Sequence, residues 1–204
     1  MTIKDAKKNF ITDVARDLFF EKSINEVTIK DIAQAAVVGE ATVYRYFEHK
    51  QKIVATVAEK LQKKVYNEYF RSDKEGNGYA KIKAFYESYV NILVNSPAFY
   101  KFVGEFDAYM ISEGSLSSEV YSSGVDLFKN IFFSAYKEGI KDGSLKNLKN
   151  PEIFYFSTAH AMLELCKKLS AGNEIVKQDE TTDKVAEICE LKEIILSYIA
   201  NPQA

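Results

Sequence analysis

The sequence predicts an all-α fold, with an N-terminal three-helix domain of the helix-turn-helix type and a larger helical domain after it. Apolar residues recur at three- and four-residue intervals along most of the chain, which places them on one face of a helix. Few segments alternate with the two-residue period of a strand, and the 204 residues include only 3 prolines. We place the domain boundary at residue 50, so that residues 1–50 form the first domain and residues 51–204 the second.

The first helix is predicted from an apolar stripe near the N-terminus. Three lysines, Lys4, Lys7 and Lys8, precede this stripe, and we expect them on an N-terminal arm. The stripe consists of Phe10, Ile11, Val14, Ala15, Leu18 and Phe19.

The second helix begins with a capping box, in which the Thr28 hydroxyl covers free N–H groups and the Asp31 carboxylate reaches back. The turn after it falls around residues 37–39, and Gly39 is suited to cap the third helix. A left-handed backbone at Val37 would strain a β-branched side chain, so we expect either a reshaped turn or a Val37 that packs beneath it. The inward residues of the second helix are Ile29, Ile32, Ala33 and Ala36.

The third helix has the pattern of a recognition helix. Val43 and Phe47 lie four residues apart and face inward, which leaves the polar and aromatic side chains outside. Such a helix contacts bases mainly through its N-terminal residues. Arg45 can pair with guanine or bind a phosphate, and a double-stranded DNA operator is the expected partner. The candidate DNA-binding residues are Thr28, Lys30, Gly39, Glu40, Ala41, Thr42, Tyr44, Arg45, Tyr46 and Lys50.

Residues 10–50 resemble the DNA-binding domain of the TetR family of one-component bacterial regulators. The likeness includes the stripe of the first helix, the capping box at Thr28, the segment ATVYRYF at residues 41–47, and Lys50. A generic helix-turn-helix would not require all of these features together.

Two positions depart from the family pattern. Val37 stands where the family usually has Gly, and Gly39 stands where it often has Ser, which removes one hydroxyl contact to phosphate. The resemblance implies a regulator, most simply a repressor, that binds a palindromic operator as a homodimer. Its half-sites would lie roughly 34–36 Å apart, and a small ligand would release it.

The rest of the chain is predicted to form six further helices separated by polar breaks. Ser96-Pro97 and Asn150-Pro151 are typical of helix starts, and Asp142-Gly143 is typical of an end. The expected spans are 50–71, 79–94, 97–110, a helix that ends near 141, 151–171, and a last helix from Thr181 or Thr182 to 200.

The middle helices carry many aromatic residues, which are compatible either with a packed core or with a chamber for a small lipophilic or aromatic ligand. The family resemblance favours the chamber, and we consider Glu105, His160, Glu164 and the Tyr hydroxyls as its polar groups. The candidate pocket residues are Phe85, Tyr86, Tyr89, Phe102, Phe106, Tyr109, Met110, Phe128, Phe132, Tyr136 and His160. Phe99 is a further aromatic residue of this region.

The last two helices are apolar over a wide arc, which indicates that more than one face is buried. One face can serve the chain's own core, and the other can serve a second copy in an intersubunit four-helix arrangement. The candidate dimer-interface residues are Phe154, Thr158, Ala161, Leu165, Ile188, Ile195 and Ile199. Neighbouring stripes run through Ile153, Phe156, His160 and Leu163, and through Leu191, Ile194 and Tyr198.

The composition favours a soluble cytoplasmic protein that is not an enzyme. No apolar run is long enough to span a membrane, and the first residues lack the hydrophobic segment of a signal peptide. Cys166 and Cys189 lack metal-binding spacing, and we expect them as reduced, buried thiols. The sequence contains no phosphate loop, metal-ligand set or nucleophile motif, so we expect no metal and no cofactor.

The net charge of −2 does not favour nucleic-acid binding, so DNA affinity must come from local clusters of Lys and Arg. Two alternatives stay open at this point. One is a transcriptional activator with the same DNA-binding module, and the other is a helical small-molecule-binding protein without a role at DNA.

Overall fold

The computed structural model describes residues 2–71, 75–114, 118–171 and 183–202, and for residues 118–125 it describes the backbone alone. Within these ranges the regular elements are helices, which confirms the all-α prediction. The α-helices are α1 Ile3–Glu21, α2 Ile29–Ala35, α3 Glu40–Phe47, α4 Lys50–Val65, α5 Gly78–Asn95, α6 Pro97–Ser112, α7 Ser118–Asp142, α8 Pro151–Ser170 and α9 Lys184–Ile199, and a π-helical turn, Tyr66–Phe70, continues α4.

The helix starts follow the local signals in the sequence. α6 and α8 begin at Pro97 and Pro151, because the fixed φ of proline suits the first helical turn and its missing N–H has no partner there in any case. α9 begins at Lys184, since the Asp183 carboxylate caps it by accepting the N–H groups of the second and third helical residues. Thr181 and Thr182 lie outside the described residues.

The chain divides into two compact units. Unit 1 comprises Met1–Lys63 with Phe102–Tyr121, and unit 2 comprises Lys64–Lys101 with Ser122–Ala204. Three helices, α4, α6 and α7, therefore contribute residues to each unit. The domain boundary at residue 50 stays a prediction.

The core of unit 1 is formed where α1 packs against α2 and α2 packs against α3. Ile11, Ala15 and Phe19 of α1 are buried, but Phe10 is 53% exposed, so its place in the predicted inward stripe was wrong. Lys4, Lys7 and Lys8, which were expected on an N-terminal arm, lie instead in the first turns of α1. A capping box between Thr2 and Asp5 starts this helix ahead of them.

In the turn between α2 and α3, Val37 adopts the left-handed backbone conformation that would strain a β-branched side chain. Its φ is 51°, and its side chain is 90% exposed. Neither expected accommodation occurs, since the turn is not reshaped and the side chain does not pack beneath it. The Val37 N–H donates to Gln34 O at 3.1 Å and the Val38 N–H donates to Ala33 O at 2.9 Å, which fixes this conformation.

We expect Val37→Gly to raise the free energy of unfolding by about 1 kcal/mol. Glycine adopts a positive φ without a clash, and removing an exposed isopropyl group costs no core contact. Chemical denaturation followed by circular dichroism measures the change. Val37→Asn should give a smaller gain because asparagine tolerates this region better than valine does. A glycine variant less stable than wild type would show that the turn is not strained.

Unit 2 is built around α5, α8 and α9, whose inward faces bury one continuous apolar cluster. Aromatic rings form a large part of it, and Phe85 and Phe132 are nearly inaccessible, at 2% and 0%. Cys166 lies in the same cluster as a free thiol, and burial raises its pKa to about 12. Cys189 is also free but is only partly buried.

Much of the face of α8 and α9 that was expected at a dimer interface is buried within the chain itself. Ile188, Ile195 and Ile199 are at most 5% exposed within the single chain, so they belong to its own core. Thr158 also faces inward, since its hydroxyl lies 2.6 Å from the Tyr86 hydroxyl. Phe154 and Leu165 are partly buried, and Ala161 is exposed.

The apolar surface that stays open on α8 and α9 lies on the neighbouring stripes. Ile153, Ile194 and Tyr198 are 64%, 57% and 60% exposed. The Tyr198 ring stacks on Phe154, with centroids 5.7 Å apart. We call Ile153, Ile194 and Tyr198 the open stripe.

Candidate nucleic-acid interface

The first helix of the motif is fixed by the capping box that the sequence predicted. The Thr28 hydroxyl accepts the Asp31 N–H at 3.1 Å and donates to the Asp31 carboxylate at 2.7 Å. These hydrogen bonds hold the pKa of Asp31 below its usual value. The hydroxyl proton of Thr28 is therefore engaged in the cap, while its side chain stays exposed at the start of α2.

The recognition helix α3 presents its two faces as expected. Val43 and Phe47 are 0% and 1% exposed and pack inward, whereas Tyr44 is 48% exposed and Arg45 is also exposed. Gly39 caps the helix with an extended backbone, at φ −74° and ψ 148°, and makes no side-chain hydrogen bond. Its carbonyl accepts the Thr42 N–H at 2.8 Å, which closes the first turn.

The other predicted residues of α2, α3 and the turn between them are exposed or half-buried. Lys30, Gly39, Glu40 and Ala41 are exposed. Thr42 and Tyr46 are half-buried, and the Arg45 guanidinium carbon lies 5.6 Å from the centre of the Tyr46 ring. This contact gives the guanidinium a preferred position while its hydrogen-bond donors remain available to a nucleic acid.

Lys50 is placed differently from the residues of α3. Its Nζ lies 5.1 Å from the centre of the Tyr109 ring and 3.4 Å from Asn25 O. Burial lowers the pKa of Lys50, and the negative charge of Glu113 partly opposes this shift. Lys50 is half-buried with its Nζ turned toward Tyr109 and Asn25, whereas Lys52 is exposed.

The second half of α6 is the part of unit 1 that sequence reasoning missed. Glu105 accepts the backbone N–H of Ile24 at 2.8 Å, and the Gln51 amide donates to Glu113. Tyr109 contacts Lys50, so Glu105 and Tyr109 of α6 and Glu113 just after its end recur every four residues and contact the segments before α2 and after α3. The spacing was visible in the sequence, but the aromatic residues around it suggested a pocket instead.

The predicted pocket residues do not all come together in one unit. Four of them are buried in unit 1: Phe102, Phe106, Tyr109 and Met110. His160 is exposed on α8, with its ring 5.8 Å from that of Phe156. The remaining candidates belong to unit 2, where all but Phe128 are buried: Phe85, Tyr86, Tyr89, Phe128, Phe132 and Tyr136.

The described ranges show no sign of a metal-ion site or of a membrane-spanning helix. They contain no group of three or more His, Cys, Asp or Glu side chains placed to hold a metal ion. None of their helices combines the length and the apolar character that a membrane span requires.

Comparison with known proteins identifies the N-terminal region. The family model of bacterial regulatory proteins of the tetR family matches residues 11–57, which include α2 and α3. Members of this family are DNA-binding regulators rather than enzymes. No curated protein matches the chain.

Solved structures share the fold over nearly the whole chain. GusR of Salmonella enterica is 16% identical with a TM-score of 0.70, covering 97% of this chain and 98% of its own. The fatty acid degradation regulator FadR of Bacillus halodurans is 16% identical with a TM-score of 0.68, covering 93% and 94%. The ketosteroid transcriptional regulator KstR2 of Mycobacterium tuberculosis is 14% identical with a TM-score of 0.64, covering 95% and 94%.

Proposed function

Because the chain carries the DNA-binding domain of the tetR family of bacterial regulatory proteins and the fold of its regulators, we propose that it is a ligand-released repressor. It binds a palindromic DNA operator as a homodimer and blocks transcription there. A small lipophilic or aromatic molecule then releases it from DNA.

The observation that carries this proposal is the orientation of α3. Val43 and Phe47 anchor the helix in unit 1, so Tyr44 and Arg45 face solvent on the opposite side. A helix of this kind fits the major groove, where its first residues meet base edges and its Arg can pair with guanine. The exposed Lys30 and Lys52 add positive charge on either side of α3 along the chain.

The open stripe supports the homodimer. Large apolar side chains exposed on two adjacent helices are typical of a surface that a partner covers. A symmetric pair of such surfaces gives a closed interface between two copies. Two copies of α3 are needed to read both halves of a palindrome.

Release by a ligand is supported by the aromatic cluster of unit 2. A ligand that prefers a second arrangement of the helices in the dimer lowers the population that fits the operator. By thermodynamic linkage, DNA must then weaken ligand binding by the same factor by which the ligand weakens DNA binding. FadR is a regulator of fatty acid degradation and KstR2 is a ketosteroid transcriptional regulator, and these two neighbours in fold favour a lipophilic ligand here.

A mobility-shift assay with palindromic sites from the DNA upstream of the gene tests the proposal. We expect sequence-preferring binding whose affinity falls steeply as salt rises, because Lys and Arg displace counterions from phosphates. If the protein does not bind DNA, or if its affinity depends neither on the DNA sequence nor on salt, the repressor proposal is wrong. The alternative, a small-molecule-binding protein without a role at DNA, would then be favoured. A reporter gene behind the same site separates a repressor from an activator.

A further inference from the structure

Glu40, the first residue of α3, is the acidic side chain of the recognition helix. It is exposed, as are Tyr44 and Arg45, and it lies one helical turn before Tyr44 on the same side of the helix. The tetR-family model covers this segment, so Glu40 belongs to the surface that we propose to meet DNA. A carboxylate on such a surface lowers affinity because phosphates repel it, and its presence there needs an explanation.

The carboxylate of Glu40 is not used to cap its own helix. In α1 and α2 the acid of the first turn, Asp5 or Asp31, accepts the backbone N–H of the N-cap threonine in a capping box. Glu40 instead directly follows the N-cap Gly39, and it makes no hydrogen bond or ion pair with any residue that the structure describes. The structural role left to it is a favourable interaction with the helix dipole, which any acid in this turn would gain.

The positive charge of α3 does not neutralise Glu40 either. The guanidinium carbon of Arg45 lies 5.6 Å from the centre of the Tyr46 ring, and Arg45 forms no ion pair within the described ranges. The exposed surface of α3 therefore offers a hydrogen-bond acceptor at its start and a set of donors near its end. Both groups are available to a nucleic acid, and they suit bases of opposite hydrogen-bonding character.

Two of the four bases expose a hydrogen-bond donor in the major groove. Cytosine presents its N4 amino group and adenine its N6 amino group, whereas guanine and thymine present acceptors. A carboxylate only accepts hydrogen bonds, so it is repelled by the edges of guanine and thymine. Adenine also carries the acceptor N7 beside its amino group, and the second carboxylate oxygen would face it. Cytosine has a C–H group at that place, which makes it the better partner for a carboxylate.

We propose that Glu40 is a specificity-determining residue, and that its carboxylate accepts a hydrogen bond from the N4 amino group of one cytosine in each operator half-site. This inference rests on the proposed function, because it names a base that the repressor reads. The position of Glu40 suits this role, since a recognition helix meets base edges mainly through its first residues. Repulsion between Glu40 and phosphates then favours specificity, because it weakens binding to DNA that lacks this cytosine.

The test selects binding sites from a randomised DNA duplex library with the full-length wild-type protein and its variants. Wild type should prefer C·G about tenfold at one position of each half-site. Glu40→Gln should select A·T at that position, since a glutamine amide pairs with adenine N6 and N7. Glu40→Ala should show no preference there and should bind unrelated duplex DNA more tightly than wild type does. The bases selected at every other position should not change.

A modified operator tests the same contact without a change in the protein. The selected cytosine is replaced by the pyrimidin-2-one nucleotide, which lacks the N4 amino group. Wild-type binding should weaken about tenfold, and Glu40→Ala binding should weaken much less, because the altered base pair is the same for both proteins. Glu48→Gln is the matched control, since it removes one exposed carboxylate just past the other end of α3. It should keep the wild-type preference at every position.

A Glu40 that only complements the helix dipole would give a different result. Its variants would then melt at a slightly lower temperature and select the same bases as wild type, and the proposal would be wrong. A Glu40-dependent preference for another base, or equal weakening of wild type and Glu40→Ala by the modified operator, also overturns it. These outcomes leave the proposed function intact. A wild-type protein that selects no sequence at all contradicts the proposed function, and this inference with it.

Discussion

Replacing Ile194 by Glu is expected to give a folded monomer that no longer binds its operator. Ile194 is 57% exposed in the single chain, so the change costs the fold little, whereas in a dimer it places two like charges in an apolar interface. An unpaired charge buried at an interface costs about 3–5 kcal/mol, which weakens dimerisation at least a hundredfold. Light scattering at micromolar concentration measures the oligomeric state, and the mobility-shift assay measures DNA binding.

Val94→Glu is the matched control for this prediction. Val94 is 55% exposed on α5, so the substitution is chemically the same but lies outside the open stripe. It should leave both the dimer and operator binding intact. An Ile194 variant that remains dimeric, or a wild-type protein that is already monomeric, would show that the open stripe is not the dimer interface.

Arg45→Ala should weaken operator binding by about 1–3 kcal/mol for each half-site without changing the melting temperature. Arg45 is exposed and contacts the Tyr46 ring, but it takes no part in the core. Arg45→Lys separates the two roles considered for this side chain. A lysine keeps the charge for a phosphate contact, but it cannot make the paired hydrogen bonds to guanine.

The control for Arg45 is Arg71→Ala, which removes an exposed arginine from unit 2. It should not change operator affinity at a fixed salt concentration. An Arg45→Ala protein with wild-type affinity would remove this residue from the interface and leave Tyr44 and the N-terminal residues of α3 as the candidates for recognition.

Much of unit 1 could be predicted from the sequence because its signals are local. The capping box at Thr28, the Gly39 cap and the inward pair Val43 and Phe47 each depend on residues within one or two helical turns. The position of Lys50 could not be predicted in this way. It depends on Tyr109, which is distant in the sequence and was assigned to a pocket from composition alone.

The sequence by itself determined which segments are helices, where α2, α3, α6 and α8 begin, and which side of α3 faces outward. Only the tertiary structure decided which face of α9 is buried and where Tyr109 packs. The physical reason is that helical periodicity arises between residues three or four apart, whereas burial depends on which distant helix supplies the other half of a contact. A helix that is apolar around most of its circumference, such as α9, carries no local signal of which side meets its own core.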